Sequence, residues 1–447
     1  MIDRESPPAA GTQPVVRPLS PAKERLDNGL DVVTLRHDSV PELCLRLVIP
    51  GGAAAAPVGR AGIASLVGRL LPEGAAGKGS REMAAWIDGV GVAFGVDVGY
   101  DSTVVRMHSL SELTGEALDL LAAVVASPDF PAQEVERIRG ERLDLIRRQR
   151  DEPDHVSSDL LAELLYGDIP YGRLPGGRLE TVGGLDRADI TGFHADHFSP
   201  GAASLVAVGA LADGFVEMVD ARLAAWSGEA PDVAAPDSLR APATTGTVLV
   251  DRPDSQQSVI RIGGIGLARG TADEPGARMM NAILGGLFNS RLNLNLREDK
   301  GWTYGARSGL DLRRSAGPIT MKASVETRVT ADAVSEMNRE IERMSGSIPS
   351  DDEMKTAVGA LTRSLPLRFE TSSQVAGKLV EQIVYDLSDD YWSRYVEELE
   401  AVTPADVRTA SRRYLETGRL VTLVVGDASV VGPELEKLGP VEVRPAP

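Results

Sequence analysis

The chain alternates between two hydrophobic periods, and it does so twice in the same order. GLDVVTLRHD and LCLRLVIPGG have the short apolar spacing of strands. VGRAGIASLVGRLL and SREMAAWIDGVG then shift to the spacing of helices. VAFGVDVGYDSTVVRMHSL predicts two strands joined at Gly99–Ser102. Helical patterns follow in LTGEALDLLAAVVAS, PAQEVERIRGERLDLIRRQRDEP, HVSSDLLAELLYG and RADITGFHADHF. The strand ASLVAVGA and the helix ADGFVEMVDARLAAW close the first half.

Both periods stop at SGEAPDVAAPDSLRAPATTG, Ser227 to Gly246, which has linker composition. The first order then returns. TVLVDRP and SVIRIGGIGLA predict strands, EPGARMMNAILGGLF and SRLNLNLREDK helices, GWTYGARSGLDL and GPITMKASVET strands. Four more helical stretches lead to the buried strand RLVTLVVGD and a short helix in VVGPELEKLG. ASLVAVGAL and RLVTLVVGD hold equivalent places. The repeated order predicts an α+β fold of two tandem duplicated domains, each a mostly antiparallel sheet packed with helices. The expected boundaries are a Pro-rich arm over 1–22, a domain over 23–227, a linker over 228–246, a domain over 247–440 and a tail over 441–447.

Charge narrows the partners. With 47 basic and 65 acidic residues the chain carries a formal −18, which argues against nucleic acid and anionic membranes and suits basic peptides. The N-terminus has no apolar signal segment, and no apolar run is long enough to span a bilayer, so a cytoplasmic location is expected. Cys44, the single cysteine, lies in CLRLVI and reads as a small core residue.

Chemistry concentrates at LNLNLREDKGWTYGARSGLDL, Leu292 to Leu312. Leu292, Leu296 and Arg297 predict a helix that ends at Lys300-Gly301, with an extended run from Trp302. Arg297 lies near the helix end, and Tyr304 is expected just inside the strand. From the residues alone, Arg297 pairs with Glu298 or Asp299 and Tyr304 is an ordinary strand aromatic. His194 and His197 share a helical face, but no third metal ligand is evident nearby. The glycines of GGIGLARG lack the third glycine of a dinucleotide fingerprint, since Arg269 stands there.

DNGLDVVT, GRAGIASLVGRLL, ERLDLIRRQRDEP, GFHADHFSPGAASLVAVGAL, SRLNLNLREDKGWTYGARSG and RLVTLVVGDASVV together resemble the pitrilysin/insulinase-type zinc metallopeptidases. The likeness is to the short two-domain kind that includes the mitochondrial processing peptidase subunits. That family binds zinc through His-x-x-Glu-His on the first long helix and a glutamate roughly 75 residues later. Aligned on that motif, Ser65 and Arg69 replace the histidines, Gly68 replaces the general base, and Leu145 stands at the third ligand. The resemblance thus implies no metal and no catalytic residue in this chain alone. It also implies that Arg297 and Tyr304 contact the substrate backbone near the scissile bond. The expected role is a non-catalytic subunit that pairs with a His-x-x-Glu-His homologue holding the zinc. Its expected substrate is an unfolded or short peptide, such as a leader peptide. The alternatives are an inert peptide-binding or scaffold protein of the same fold, and a stand-alone metalloenzyme using His194 and His197.

Overall fold

The structure is a computed structural model that describes residues 19–446 except 232, 234–235 and 237–240. Most of the expected arm and part of the expected linker lie outside the described residues. Among the described residues, strands form two six-stranded sheets and one small hairpin. The first sheet contains β1 (Ala22–Arg25), β2 (Asp31–Arg36), β3 (Glu42–Pro50), β6 (Ala93–Val98), β7 (Ser102–Leu110) and β8 (Ser204–Gly209); β4 (Gly74–Ala75) and β5 (Lys78–Gly79) make the hairpin. The second contains β9 (Gly246–Asp251), β10 (Gln257–Ile265), β11 (Ala306–Leu310), β12 (Pro318–Glu326), β13 (Val421–Gly426) and β14 (Val441–Pro445).

The sheet orders, β1-β2-β8-β3-β7-β6 and β14-β9-β13-β10-β12-β11, coincide over five strands, β2 to β6 in the first and β9 to β11 in the second. β8 and β13 are equivalent, as the sequence predicts. Each is parallel to one neighbour, β2 or β9, and antiparallel to the other, β3 or β10. The outermost strands differ. β1 runs antiparallel to β2, whereas β14 runs parallel to β9. Both were missing from the sequence reading, which placed Ala22 in the arm and 441–447 in a tail. VEVRP is short and largely exposed, so its own alternation carries little signal; pairing with β9 makes it a strand.

Each sheet buries both faces, and the second cover comes from the other half of the chain. On β3, Leu43, Leu45, Leu47 and Ile49 face the first half's own core, while Cys44 faces Val375, Ala376 and Leu379 of the helix Ser372–Val384. On β10, Ile260 and Ile262 face the second half's core, while Val259 joins Val156, Leu161 and Leu165 of the helix Pro153–Tyr166. A Cβ at Gly263 would lie 2.9 Å from Leu161 Cδ2, so this approach needs the glycine. The exchange repeats in polar detail. Arg46 Nη2 donates to Ser373 Oγ at 2.8 Å, and Arg261 Nε donates to Ser157 Oγ at 2.7 Å.

A third contact joins the halves beside β11. The Arg313 guanidinium, paired with Asp311, sits 3.8 Å from the Tyr100 ring centroid and 4.7 Å from that of Tyr171. Tyr171 donates to Asp101 Oδ1 at 2.6 Å and accepts from the Ser315 amide at 3.2 Å. The β11–β12 connection is therefore fastened to the first half. That fixes the strand which follows Tyr304.

Candidate functional site

The turn carrying Arg297 and Tyr304 is built from buried leucines and one asparagine. Leu292 and Leu296 are fully buried and hold one side of the helical segment against the core. From Leu294 to Asp299 the helix is wound in the wider π form, seen in the Lys300 amide bonding the Asn295 carbonyl at 3.0 Å. Such segments re-aim side chains and recur at functional sites. Gly301 ends it with φ +66°, the left-handed position expected there. Asn293 closes the turn, its Oδ1 accepting from the Ala306 amide at 2.9 Å.

The structure changes the expected place of Tyr304. The strand begins at Ala306, so Tyr304 lies in the loop before it, and it is 98% exposed. Leaving an aromatic in water forgoes about 1.5–3 kcal/mol of burial, so the fold has no use for this ring. Arg297 is also lightly engaged. Among the described residues its nearest carboxylate is Glu298 at 3.6 Å, and its guanidinium lies 4.5 Å from the centroid of the exposed Phe288 ring. A pair that long, at the surface, contributes little. Both side chains remain available to a ligand.

The segment is anchored upstream by Arg291, whose Nε and Nη2 bond Glu353 at 2.6 and 3.0 Å. Those bonds hold the Glu353 carboxyl at about 2, against an ordinary 4.5. A lowered carboxyl stabilises the fold fully above the ordinary value, and this contribution is lost as pH falls toward the folded value. The parent should therefore lose more stability than Glu353→Gln between pH 4.5 and about 2. Denaturation midpoints across that window would measure the difference; parallel curves would refute it.

In the first half, Ser65, Arg69 and Leu145 line one cleft between the helices Ile63–Leu70 and Ala132–Arg150 and the edge strand β6. The alignment thus brings together positions that are neighbours in space. Their chemistry does not fit zinc. Ser65 Oγ is occupied in donating to the Pro175 carbonyl at 2.6 Å, and Arg69 is a cation that donates to Glu141 at 2.7 Å. Leu145 offers no donor atom. A Cβ at Gly68 would lie 3.0 Å from both Val96 Cγ1 and Val98 Cγ2, so a glutamate there would have to displace β6 side chains. Asp144, the neighbour of Leu145, reaches the cleft rim, where Arg147 donates to it at 2.6 Å. Neither Arg297 nor Tyr304 lines this cleft.

His194 and His197 are packing residues. His194 stacks on Phe198 with centroids 4.5 Å apart, and its Nε2 donates to the Val125 carbonyl at 3.1 Å. Burial pushes it down to about 4. His197 lies against Phe193 at 4.3 Å. Among the described residues no carboxylate or thiol joins the two histidines in a metal-like group. One other cluster does have that character, Glu42 with Cys44 and His108. The sequence reading missed it. The strand period places residues 42 and 44 on one face, but only the β3–β7 register brings His108 beside them.

Residues 32–174 match the domain described as insulinase (peptidase family M16), and residues 184–361 match the peptidase M16 inactive domain. An uncharacterized zinc protease of Mycobacterium tuberculosis is 26% identical over 400 residues, covering 89% of this chain and 91% of the relative. One from Streptomyces coelicolor is 26% identical over 424 residues, covering 92% and 89%. Among solved structures, a peptidase M16 inactive domain from Pseudomonas fluorescens superposes with a TM-score of 0.85 at 25% identity, covering 92% of this chain and 98% of that one. A protease from Helicobacter pylori gives a TM-score of 0.85 at 16% identity over 92% of this chain and 100% of that one, a likeness of fold. No described helix is long and apolar enough to cross a membrane.

Proposed function

Because the chain belongs to the insulinase (M16) peptidase family, we propose that it is the non-catalytic, substrate-binding subunit of a cytoplasmic heterodimeric zinc metalloendopeptidase. The observation that carries this reading is an exposed Tyr304 and a weakly paired Arg297 on one local segment, in a chain whose own zinc positions hold serine, glycine, arginine and leucine. In this reading a homologous partner bearing His-x-x-Glu-His holds the zinc, which activates water for attack on the peptide. Arg297 offers its fork of donors to substrate carbonyls, and the Tyr304 hydroxyl donates to the carbonyl oxygen that becomes an oxyanion. The substrate is an unfolded or short peptide, such as a leader peptide, held in a chamber between the two subunits. Its backbone is bound as a strand added to a sheet edge.

Co-expression with a His-x-x-Glu-His homologue tests this. The pair is expected to cleave unfolded peptides, and neither chain alone to do so efficiently. Equal cleavage by the partner alone would leave this chain as a scaffold of the same fold. Cleavage by this chain alone would refute its non-catalytic assignment.

A further inference from the structure

The contact between the first sheet and the helix Ser372–Val384 contains three different metal-ligand types within reach of one another. Cys44 on β3 and His108 on β7 are directly opposite in the antiparallel register. Glu42, two residues before Cys44, projects from the same face of β3. The Glu42 carboxylate, the Cys44 thiol and the His108 ring nitrogen all lie within 4.8 Å of one another. His108 Nε2 and Glu42 Oε2 are 2.8 Å apart. The thiol is fully buried, whereas the His108 side chain is 44% exposed, so the cluster runs from the sheet–helix interface to solvent. Ser372, the first residue of the helix, reaches the same place by bonding the Glu42 carboxylate, and its Oγ also lies 3.0 Å from His37 Nδ1.

We propose that Glu42, Cys44 and His108 form a zinc site that cross-links β3 and β7 where the first sheet meets the helix Ser372–Val384. This site is separate from the altered peptidase cleft, which is lined by Ser65, Arg69 and Leu145. Thiolate, imidazole and carboxylate are the usual zinc donors, at bond lengths of about 2.0–2.3 Å. The 2.8 Å contact between His108 Nε2 and Glu42 Oε2 has to open to admit the ion between them, and rotation of Glu42 at the rim supplies that movement. A thiol, imidazole and carboxylate set favours zinc over magnesium or calcium, which prefer all-oxygen ligands. On binding, the Cys44 S–H proton is released to solvent and the sulfur lone pair forms the bond to the ion. His108 keeps its proton on Nδ1 and ligates through Nε2. Zinc with one thiolate and one carboxylate is neutral, which suits a half-buried position. Burial pushes the Cys44 thiol up to about 11, and Arg46, two residues along the same face, offsets only part of that, so the metal has to displace the proton. Solvent fills the fourth position on the open side of His108.

The test uses the purified full chain alone, stripped with a chelator and then given zinc chloride. It involves no partner and no peptide, so its outcome is independent of the proposed peptidase role. The chain is expected to retain one zinc after desalting, with its thermal midpoint raised by several degrees. Glu42→Gln and His108→Gln should weaken binding by more than the ~10–100-fold that an outer-shell change costs. Cobalt substituted for zinc should show a thiolate charge-transfer band that Cys44→Ser removes. Because Glu42 and His108 lie toward the rim, their variants report even if Cys44→Ser folds poorly. Failure to retain zinc, or zinc retained equally by all three variants, overturns the site. Loss of zinc on His194→Gln, with the three variants unaffected, would do the same.

Discussion

Replacing Tyr304 by phenylalanine in the reconstituted pair should lower kcat by about 10²–10³-fold, the cost of losing one donor to a developing oxyanion. The substitution deletes a single hydroxyl on a ring that is 98% exposed, so the fold should not notice it. A structural role would predict loss of stability; a transition-state role predicts a fall in kcat with little change in KM. Arg297→Ala should affect both terms, because a guanidinium on backbone carbonyls holds substrate in the ground state as well. In sedimentation experiments both variants should still assemble with the partner. If the double variant turns over peptide at the parental rate, neither residue has the assigned role and the scaffold reading takes precedence. The surroundings favour the first outcome. Among the described residues Arg297 has a 3.6 Å contact to Glu298 and the exposed Phe288 ring beside it, and the segment it sits on is held by Asn293 and by the Arg291–Glu353 pair. A rigid support carrying two unengaged side chains is what a preorganised contact requires.

The largest stability effect should come from Glu274. This carboxylate is 3% exposed and accepts from four donors: Arg269 Nη1 at 2.7 Å, Arg278 Nε at 2.7 Å, the Gly270 amide at 2.7 Å and Tyr391 Oη at 2.8 Å. Arg269 is itself buried, is shared with Glu381 at 2.9 Å, and lies over the rings of Tyr391 and Trp392. Removing the carboxylate leaves Arg278 without this partner and Arg269 with half its countercharge. Breaking a buried pair in this way costs about 3–5 kcal/mol. Glu274→Ala should therefore lower the thermal midpoint by on the order of 10 °C for a unit of this size. Glu274→Gln keeps the shape and two acceptor positions fewer, so it should fall between variant and parent. Calorimetry would decide; a loss under about 1 kcal/mol would mean that the arginines find other partners or water.

Much of the architecture could be read from the sequence because strand and helix periods are local properties. The alternation in LCLRLVIP and RLVTLVVGD, and the repeated order of elements, are enough to expect two copies of one α+β unit. Five strands of each sheet match that expectation in order. The exchange of helices was not legible. Pro153–Tyr166 and Ser372–Val384 look like ordinary amphipathic helices of their own halves, and nothing local says that each covers the opposite sheet. β1 and β14 escaped for a related reason. Short exposed edge strands are defined by the neighbour they pair with rather than by their own pattern. Tyr304 was expected in the strand because aromatic residues favour strands. The hydrogen bond from Ala306 to Asn293 instead starts the strand two residues later and leaves the ring in solvent.

The residue types at the family's motif positions were legible without a fold, because Ser65, Gly68, Arg69 and Leu145 offer neither the two imidazoles nor the two carboxylates of that motif. The sequence also carried the candidate pair, since Arg297 and Tyr304 belong to one local turn. Only the tertiary structure decided what is free and what is engaged. His194 and His197, which share a helix face, are committed to aromatic packing. Glu42, Cys44 and His108 converge because two strands separated by more than fifty residues pair in one register. Exposure, packing and cross-strand proximity depend on which surfaces meet, and a side chain's chemistry stays latent until its neighbours are in place.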